Sequence, residues 1–548
     1  MPFTVADYIL KRLSQHQVDT LFGVPAAYGA PLFDAVGAHD IKPVVTTTDL
    51  EAGYAADGYA RTKGLGVVSV ANGVGVLSMI NAIAGAFVER SPVVVVNGGP
   101  NAANLTNLKE LDVLFSHSTG EPDGDLNAYR LVTASAARAE RATDIPALAD
   151  HAISTAIRKK RPVYLEINRA IWTAECTPPA GSLPVTNPAV GTEQQLATTI
   201  IELIRAATKP VLLVGLEIQR YGLADMMADL IAKLGIRWSA QVPAKSALSE
   251  EGDGWVGIFA PPSSLPTAVQ EADLIVMLGC VFPSSYASFI RNRTNDIVTA
   301  YDGKVKIKNG TKQDADILAL MTALVAEAAK QAPRPVPAAV DPAPPPASGP
   351  LTYAQVFDRV GAALNAPNPL NAPNAPNASW LVIPDTFLGG ASAANLPVKG
   401  RDGYLSGAVW ASIGHSVAAA VGASFGSKRR PLVICGDGGF HTTAQALSTF
   451  AHYCRNAVVL VIDNGIYGLE QYIIDSGYYD DPDAAPKPYV VLNPWDFTKF
   501  AHGVGVRSTY SVDTAAELDR ALEEAKDSAA PALIVAKVSP RSLPAQLP

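Results

Sequence analysis

Two apolar runs in this chain stop abruptly on small polar residues: Val433-Ile-Cys-Gly-Asp-Gly-Gly-Phe440 and Val458-Val-Leu-Val-Ile-Asp-Asn-Gly-Ile-Tyr467. β-Branched runs of this kind read as buried parallel strands, and α/β sheets place their ligands at the carboxyl ends of such strands. The first run ends on Asp437 between glycines, the second on Asn464, and the two positions lie 27 apart. That is the length of one crossover unit, with Thr442 to Tyr453 as the helix between. Neighbouring strands would then present a carboxylate and an amide oxygen side by side. A few hard oxygen ligands suit Mg²⁺, which takes part of its shell from substrate phosphates. Gly436, Gly438 and Gly439 would let the backbone approach those phosphates closely.

The chain has 548 residues, enough for about three domains of ordinary size. Hydrophobic residues make up 48% and charged residues 17%, which suits large buried cores. A net charge of −8 with no basic stripe argues against a nucleic-acid partner. The longest apolar stretches, such as Pro92 to Asn97 and Ala457 to Ile462, are strand-length, so no membrane partner is expected. Met1 to Asp7 carries neither the basic region nor the apolar core of a secretion signal, and a cytoplasmic location is expected. Cys176, Cys280, Cys435 and Cys454 are scattered without Cys-x-x-Cys spacing, which argues against a zinc site and a disulfide framework.

The first 180 residues alternate helices with short buried strands. Val5 to Gln15 predicts a helix with Val5, Tyr8, Ile9 and Leu13 on one face. Thr20 to Pro25 reads as strand then turn; Val67 to Asn72, Val93 to Asn97 and Pro162 to Asn168 read as buried strands. Alternation of this kind indicates a parallel doubly wound sheet. A second unit over 193–330 has strand candidates at Pro210 to Gly215, Leu274 to Gly279 and Asp296 to Ala300. It contains no Gly-x-Gly-x-x-Gly to support dinucleotide binding. Residues 331–350 hold eight prolines in twenty positions and read as an extended linker. The Asn-Ala-Pro repeat from Asn365 to Asn377 reads as a surface insertion, and 351–548 again alternates strands and helices. The expected architecture is α/β, with three doubly wound parallel-sheet domains at 1–180, 193–330 and 351–548.

Gly436-Asp-Gly438 followed by Asn464 resembles the thiamine diphosphate motif. The segment Thr46-Thr-Thr-Asp-Leu-Glu51 to Arg61 looks like the helix on which that family carries its glutamate. The layout as a whole is similar to the pyruvate oxidase and decarboxylase superfamily, with pyrimidine-binding, central and diphosphate-binding domains. The resemblance implies thiamine diphosphate and Mg²⁺ as cofactors, with Asp437, Asn464 and the backbone carbonyl of Ile466 as metal ligands. It implies that Glu51 protonates the aminopyrimidine ring. It also implies an active site shared between subunits, hence a homodimer or homotetramer. Trp410-Ala-Ser-Ile-Gly414 resembles the Trp-Gly-Ser-Ile-Gly stretch of the decarboxylases, so Ile413 would be the wedge under the thiazolium and the Ala411 carbonyl would accept from the amine. Tyr467-Gly-Leu-Glu470 resembles the Tyr-Thr-Ile-Glu stretch of pyruvate and indolepyruvate decarboxylases, placing Glu470 against the substrate. Glu217-Ile-Gln-Arg-Tyr-Gly-Leu223 looks like the central domain of the same group.

Two departures stand out. Where the decarboxylases carry Gly-Asp-Tyr-Asn, this chain reads Ala26-Ala27-Tyr28-Gly29, so Ala27 replaces the usual catalytic aspartate. Leu114-Phe-Ser-His-Ser-Thr-Gly120 matches a stretch that usually holds paired histidines; Ser116 replaces the first and His117 retains the second. The expected activity is non-oxidative decarboxylation of an aromatic or aliphatic 2-oxo acid through an enamine, with Glu51, His117 and Glu470 as catalytic residues. The alternative is a carboligase that makes acyloins from a 2-oxo acid and an acceptor aldehyde or keto acid. Losing a positioned acid typically slows proton transfer by ~10²–10⁴. The intermediate would then live long enough for a second carbonyl compound to capture it.

Overall fold

The structure is a computed structural model that describes residues 2–330, 351–366 and 380–547. The expected linker 331–350 and positions 367–377 of the Asn-Ala-Pro segment lie outside the described residues. Three sheets organise the rest.

The first sheet contains β1 (Thr20–Gly23), β2 (Lys42–Val45), β3 (Gly66–Ser69), β4 (Val93–Gly99), β5 (Ala136–Ala139) and β6 (Val163–Asn168). Its order is β2-β1-β3-β4-β6-β5 and every pairing is parallel. β4 is buried along its whole length, as its run of four valines requires of a strand covered on both faces. The helix Val5–Gln15 starts in a capping box between Thr4 and Asp7 and buries Val5, Tyr8, Ile9 and Leu13. β3 is shorter than expected. It stops at Ser69, because the Asn97 side chain accepts from the Val70 N–H at 2.8 Å in place of a ladder partner.

The middle sheet contains β7 (Pro210–Val214), β8 (Arg237–Gln241), β9 (Trp255–Phe259), β10 (Leu274–Leu278), β11 (Ile297–Tyr301), β12 (Lys304–Ile307) and β13 (Lys312–Asp314), in the order β13-β12-β11-β10-β7-β8-β9. The sheet is parallel from β11 through β10, β7 and β8 to β9, as expected, and at one edge β12 and β13 add an antiparallel extension to β11. Asp302 and Gly303, with φ of 52° and 72°, make the two-residue turn between β11 and β12. Asp-Gly between strands is a strong hairpin signal, and it is present in the sequence.

The third sheet contains β14 (Trp380–Pro384), β15 (Arg430–Gly436), β16 (Val458–Asp463), β17 (Ser508–Val512) and β18 (Ala532–Lys537), all parallel, in the order β14-β15-β16-β18-β17. The crossover from β15 to β16 is two helices, Asp437–Thr443 and Ala446–His452, and not one helix from Thr442. The first of them begins on Asp437 itself, directly at the strand end.

By packing, the chain forms two compact units. One contains Met1–Thr186, Val417–Lys428 and Thr443–Arg455, and so the first sheet. The other contains Asn187–Ser416, Arg429–Thr442 and Asn456–Pro548, and so the other two sheets. In the first unit the helix Asp49–Lys63 crosses the segment 417–428 backbone to backbone. A Cβ on Gly58 would lie 2.0 Å from the Ala419 carbonyl oxygen, and one on Gly422 1.7 Å from that of Ala55.

Candidate active site

Glu51 stands in the first turn of the helix Asp49–Lys63, whose N-cap Thr48 accepts from the Glu51 N–H at 3.2 Å. Its side chain is wholly buried. One carboxylate oxygen accepts from the Thr47 N–H at 3.0 Å and from the Thr47 hydroxyl; the other accepts from the Thr449 hydroxyl at 2.6 Å. Burial holds this carboxyl above the ordinary glutamate range, and the threonine hydrogen bonds pull it partly back. Thr449 lies 398 positions away, in the helix Ala446–His452, and nothing local in the sequence marks it.

His117 is exposed on the loop that follows the helix Ala102–Leu111, with a left-handed φ of 68°. Its backbone rests on Gly73, where an added Cβ would fall 2.2 Å from the His117 carbonyl oxygen. The neighbouring Asn72 donates through Nδ2 to the Ser116 carbonyl at 3.3 Å, and the Gly73 N–H donates to Asp125 at 2.8 Å. Ser116 is exposed, as is Ala27 on the turn after β1. Tyr28, beside Ala27, is held between the Arg169 guanidinium, 4.1 Å over its ring, and the Trp172 indole N–H, which donates to its carbonyl at 2.7 Å.

In the second unit, Asp437 and Asn464 meet at the ends of adjacent strands. One oxygen of Asp437 accepts from the Gly438 N–H at 2.9 Å; the other accepts from the N–H groups of Asn464 at 3.1 Å and Gly465 at 2.7 Å. The Asn464 side-chain oxygen accepts from the Ile466 N–H at 3.2 Å, and its amide reaches the Tyr353 hydroxyl at 3.5 Å. The Ile466 carbonyl accepts from the Gly468 N–H at 2.8 Å, which leaves a lone pair available. Burial, reinforced by the neighbouring carboxylate of Asp463, pushes the Asp437 carboxyl up to about 7 against the pull of the Gly465 N–H. Among the described residues no three His, Cys, Asp or Glu side chains cluster to hold a metal ion. The oxygens on offer are therefore one carboxylate, one amide and one backbone carbonyl.

Gly436, Gly438 and Gly439 line this strand end, and the Tyr467 ring lies 2.4 Å from where a Gly438 side chain would begin. Ile413 is 37% exposed, on a loop where Ala411 has a φ of 58°. Asp385, absent from the sequence-based set, fixes that loop. Buried at the end of β14, it accepts from the Gly414 N–H at 3.0 Å and from the Ser416 hydroxyl at 2.7 Å. Its signal was present: Leu381-Val-Ile-Pro-Asp385 is another apolar run ending on an acid. Thr442 ties the same loop to the glycines, its hydroxyl donating to the Gly439 carbonyl at 2.8 Å and reaching the Ile413 carbonyl at 3.5 Å. Glu470 is exposed in the first turn of the helix Gly468–Ile474 and is not hydrogen-bonded to Asp437 or Asn464.

Three segments match models of thiamine pyrophosphate enzymes: the N-terminal TPP binding domain at residues 3–120, the central domain at 197–327 and the C-terminal TPP binding domain at 389–536. The chain is 31% identical over 563 residues to an alpha-keto-acid decarboxylase of Mycolicibacterium paratuberculosis, covering 98% of this chain and 94% of the relative. It is also 31% identical over 560 residues to an alpha-keto-acid decarboxylase of Mycobacterium tuberculosis, covering 98% and 95%. The thiamine diphosphate-dependent 4-hydroxybenzoylformate decarboxylase of Rhodococcus jostii RHA1 shares the fold, with a TM-score of 0.78 over 98% of this chain and 99% of that one at 20% identity. With near full-length similarity added to Glu51, Asp437 and Asn464 at these strand and helix ends, the chain belongs to the thiamine diphosphate-dependent 2-oxo acid decarboxylase family.

Proposed function

We propose that this protein decarboxylates a 2-oxo acid without oxidation, using thiamine diphosphate and Mg²⁺, as a cytoplasmic homodimer or homotetramer built from domains at 1–180, 193–330 and 351–548. The observation that carries this reading is Glu51: a wholly buried carboxyl with a raised pKa, held by two donors from Thr47 and one from Thr449. A buried carboxyl raised above the ordinary glutamate range, and so readier to take up a proton, can hand that proton to a ring nitrogen and take it back. Bound thiamine diphosphate supplies the electron sink for the pair left by departing CO₂. Asp437, Asn464 and the Ile466 carbonyl would hold Mg²⁺, and the Gly436–Gly439 backbone would face the diphosphate. This donor set suits a cation that fills its remaining positions with phosphate oxygens and water. Ile413 would press against the cofactor, with the Ala411 carbonyl as acceptor for its amine. His117 and Glu470 would face substrate. Exposed apolar side chains support assembly into oligomers: Leu77, Leu111, Val113 and Leu114 in the first unit, Trp410, Ile473 and Ile474 in the second.

Ala27 and Ser116 favour a second reading, carboligation. Neither side chain can serve as the missing acid, so capture by an acceptor carbonyl competes with protonation. Product analysis decides between the two. Purified protein with thiamine diphosphate, Mg²⁺ and a panel of 2-oxo acids, with and without an added aldehyde, should release CO₂ and free aldehyde. Acyloin in excess would establish the ligase, and absence of CO₂ under every condition would sink both readings.

A further inference from the structure

The loop that presents His117 runs from Asp112 to Asp123 without helix or strand, and most of its side chains are exposed. Its start is the end of a helix and its middle sits on Gly73 and Asn72, but its far end is gripped from β5. Arg138, only 10% exposed, spreads its guanidinium three ways. Nε pairs with the buried Glu166, one terminal nitrogen donates to Asp123 at 2.8 Å, and the other donates to the Pro122 carbonyl at 2.9 Å. Glu166 is itself fixed by the Tyr164 hydroxyl at 3.0 Å. The same arginine lines a cavity of about 130 Å³ whose wall also includes His117, Asn72, Phe115 and Asp125.

We propose that Arg138 is a positioning residue that clasps the 112–123 loop and sets where His117 is presented. This rests on the reading of His117 as substrate-facing. A planar guanidinium can hold Glu166, Asp123 and the Pro122 carbonyl at once in fixed directions, which the single ammonium of lysine cannot. Entropy would otherwise favour an open loop, because twelve residues with little packing have few contacts to set against their freedom. Misplacement of an acting group by an ångström costs on the order of 10²-fold in rate.

The test uses the cofactor-loaded protein and three changes: Arg138→Lys, which keeps a charge beside Glu166; Asp123→Ala, which releases the loop without touching the buried acid; and His117→Ala. Arg138→Lys and Asp123→Ala should each lower kcat/KM about tenfold or more. They should also speed proteolytic cleavage within 112–123 at an unchanged thermal midpoint. In the His117→Ala background the same changes should have no further effect on kcat/KM, the non-additivity expected of residues that act through one another. Equal losses with and without His117 would overturn the clasp and leave Arg138 a structural residue. Wild-type kinetics in both Arg138→Lys and Asp123→Ala, alongside an impaired His117→Ala, would refute the clasp alone. Wild-type kinetics in His117→Ala would refute the reading of His117 itself.

Discussion

Glu51 and Asp437 are both buried carboxylates at the start of a helix, and burial raises the pKa of each, yet they are held in opposite ways. Glu51 is gripped largely by hydroxyls, those of Thr47 and Thr449, which can donate to a carboxylate or rotate and accept from a carboxylic acid. Asp437 is gripped by three backbone N–H groups, from Gly438, Asn464 and Gly465, which can only donate. The first arrangement tolerates a proton that comes and goes. The second can only donate to the anion that a cation requires, although without a metal burial and the charge of Asp463 outweigh those donors and hold the carboxyl up at about 7. The two environments therefore match the roles proposed for them, proton transfer for Glu51 and metal binding for Asp437.

The largest expected effect tests the Glu51 side. Glu51→Gln should bind cofactor and lose activity by at least ~10²–10⁴, measured as CO₂ release beside a cofactor titration; undiminished turnover would remove Glu51 from the mechanism. The same change separates burial from function. A carboxyl whose folded pKa is raised contributes stability that is full below the ordinary carboxylate range and is lost as pH rises through the raised value. The cofactor-free Glu51→Gln protein should therefore gain thermal stability over wild type at pH 8, and gain less at pH 5, by calorimetry.

Next comes Asp437, whose folded value of about 7 lies above the model-peptide value of 3.8. Its contribution to stability without metal is present below 3.8 and is lost as pH rises through about 7. The rise in thermal midpoint on adding Mg²⁺ should accordingly be larger at pH 8 than at pH 6. Asp437→Ala should abolish it, and EDTA should strip activity from the wild type alone. An Mg²⁺ effect independent of pH would undo the contrast between the two carboxyls.

Smaller is the effect of Thr449→Val, which removes one hydroxyl from Glu51 at nearly constant volume. Loss of that hydrogen bond should cost ~1–3 kcal/mol in denaturant unfolding. It should also move the Glu51-dependent limb of the pH–rate profile upward, because a donor that favours the charged form is gone. The smallest expected change is in product ratio: Ala27→Asp should raise aldehyde release relative to acyloin. An unchanged ratio would show that Ala27 does not govern that branch.

What the sequence could show was local or repetitive. Runs such as Val93–Val96 and Val458–Ile462 are apolar throughout because parallel strands are covered on both faces, so the strands, their alternation with helices and the parallel α/β class were legible. Asp437 and Asn464 were legible for the same reason: Asp437 is the first polar residue after one such run and Asn464 follows Asp463 directly after the other, at the ends of adjacent strands. Asp385 and the Asp302–Gly303 hairpin carried equally local signals that went unread. What only the tertiary structure decided is contact between distant segments. Thr449 meets Glu51 across 398 positions, the turn at Asn72 and Gly73 seats His117 across 44, and Arg138 reaches back to Asp123 across 15. No periodicity encodes such meetings. They follow from which helix crosses which and where each loop is tied down, because a hydrogen bond depends on distance in space and not along the chain.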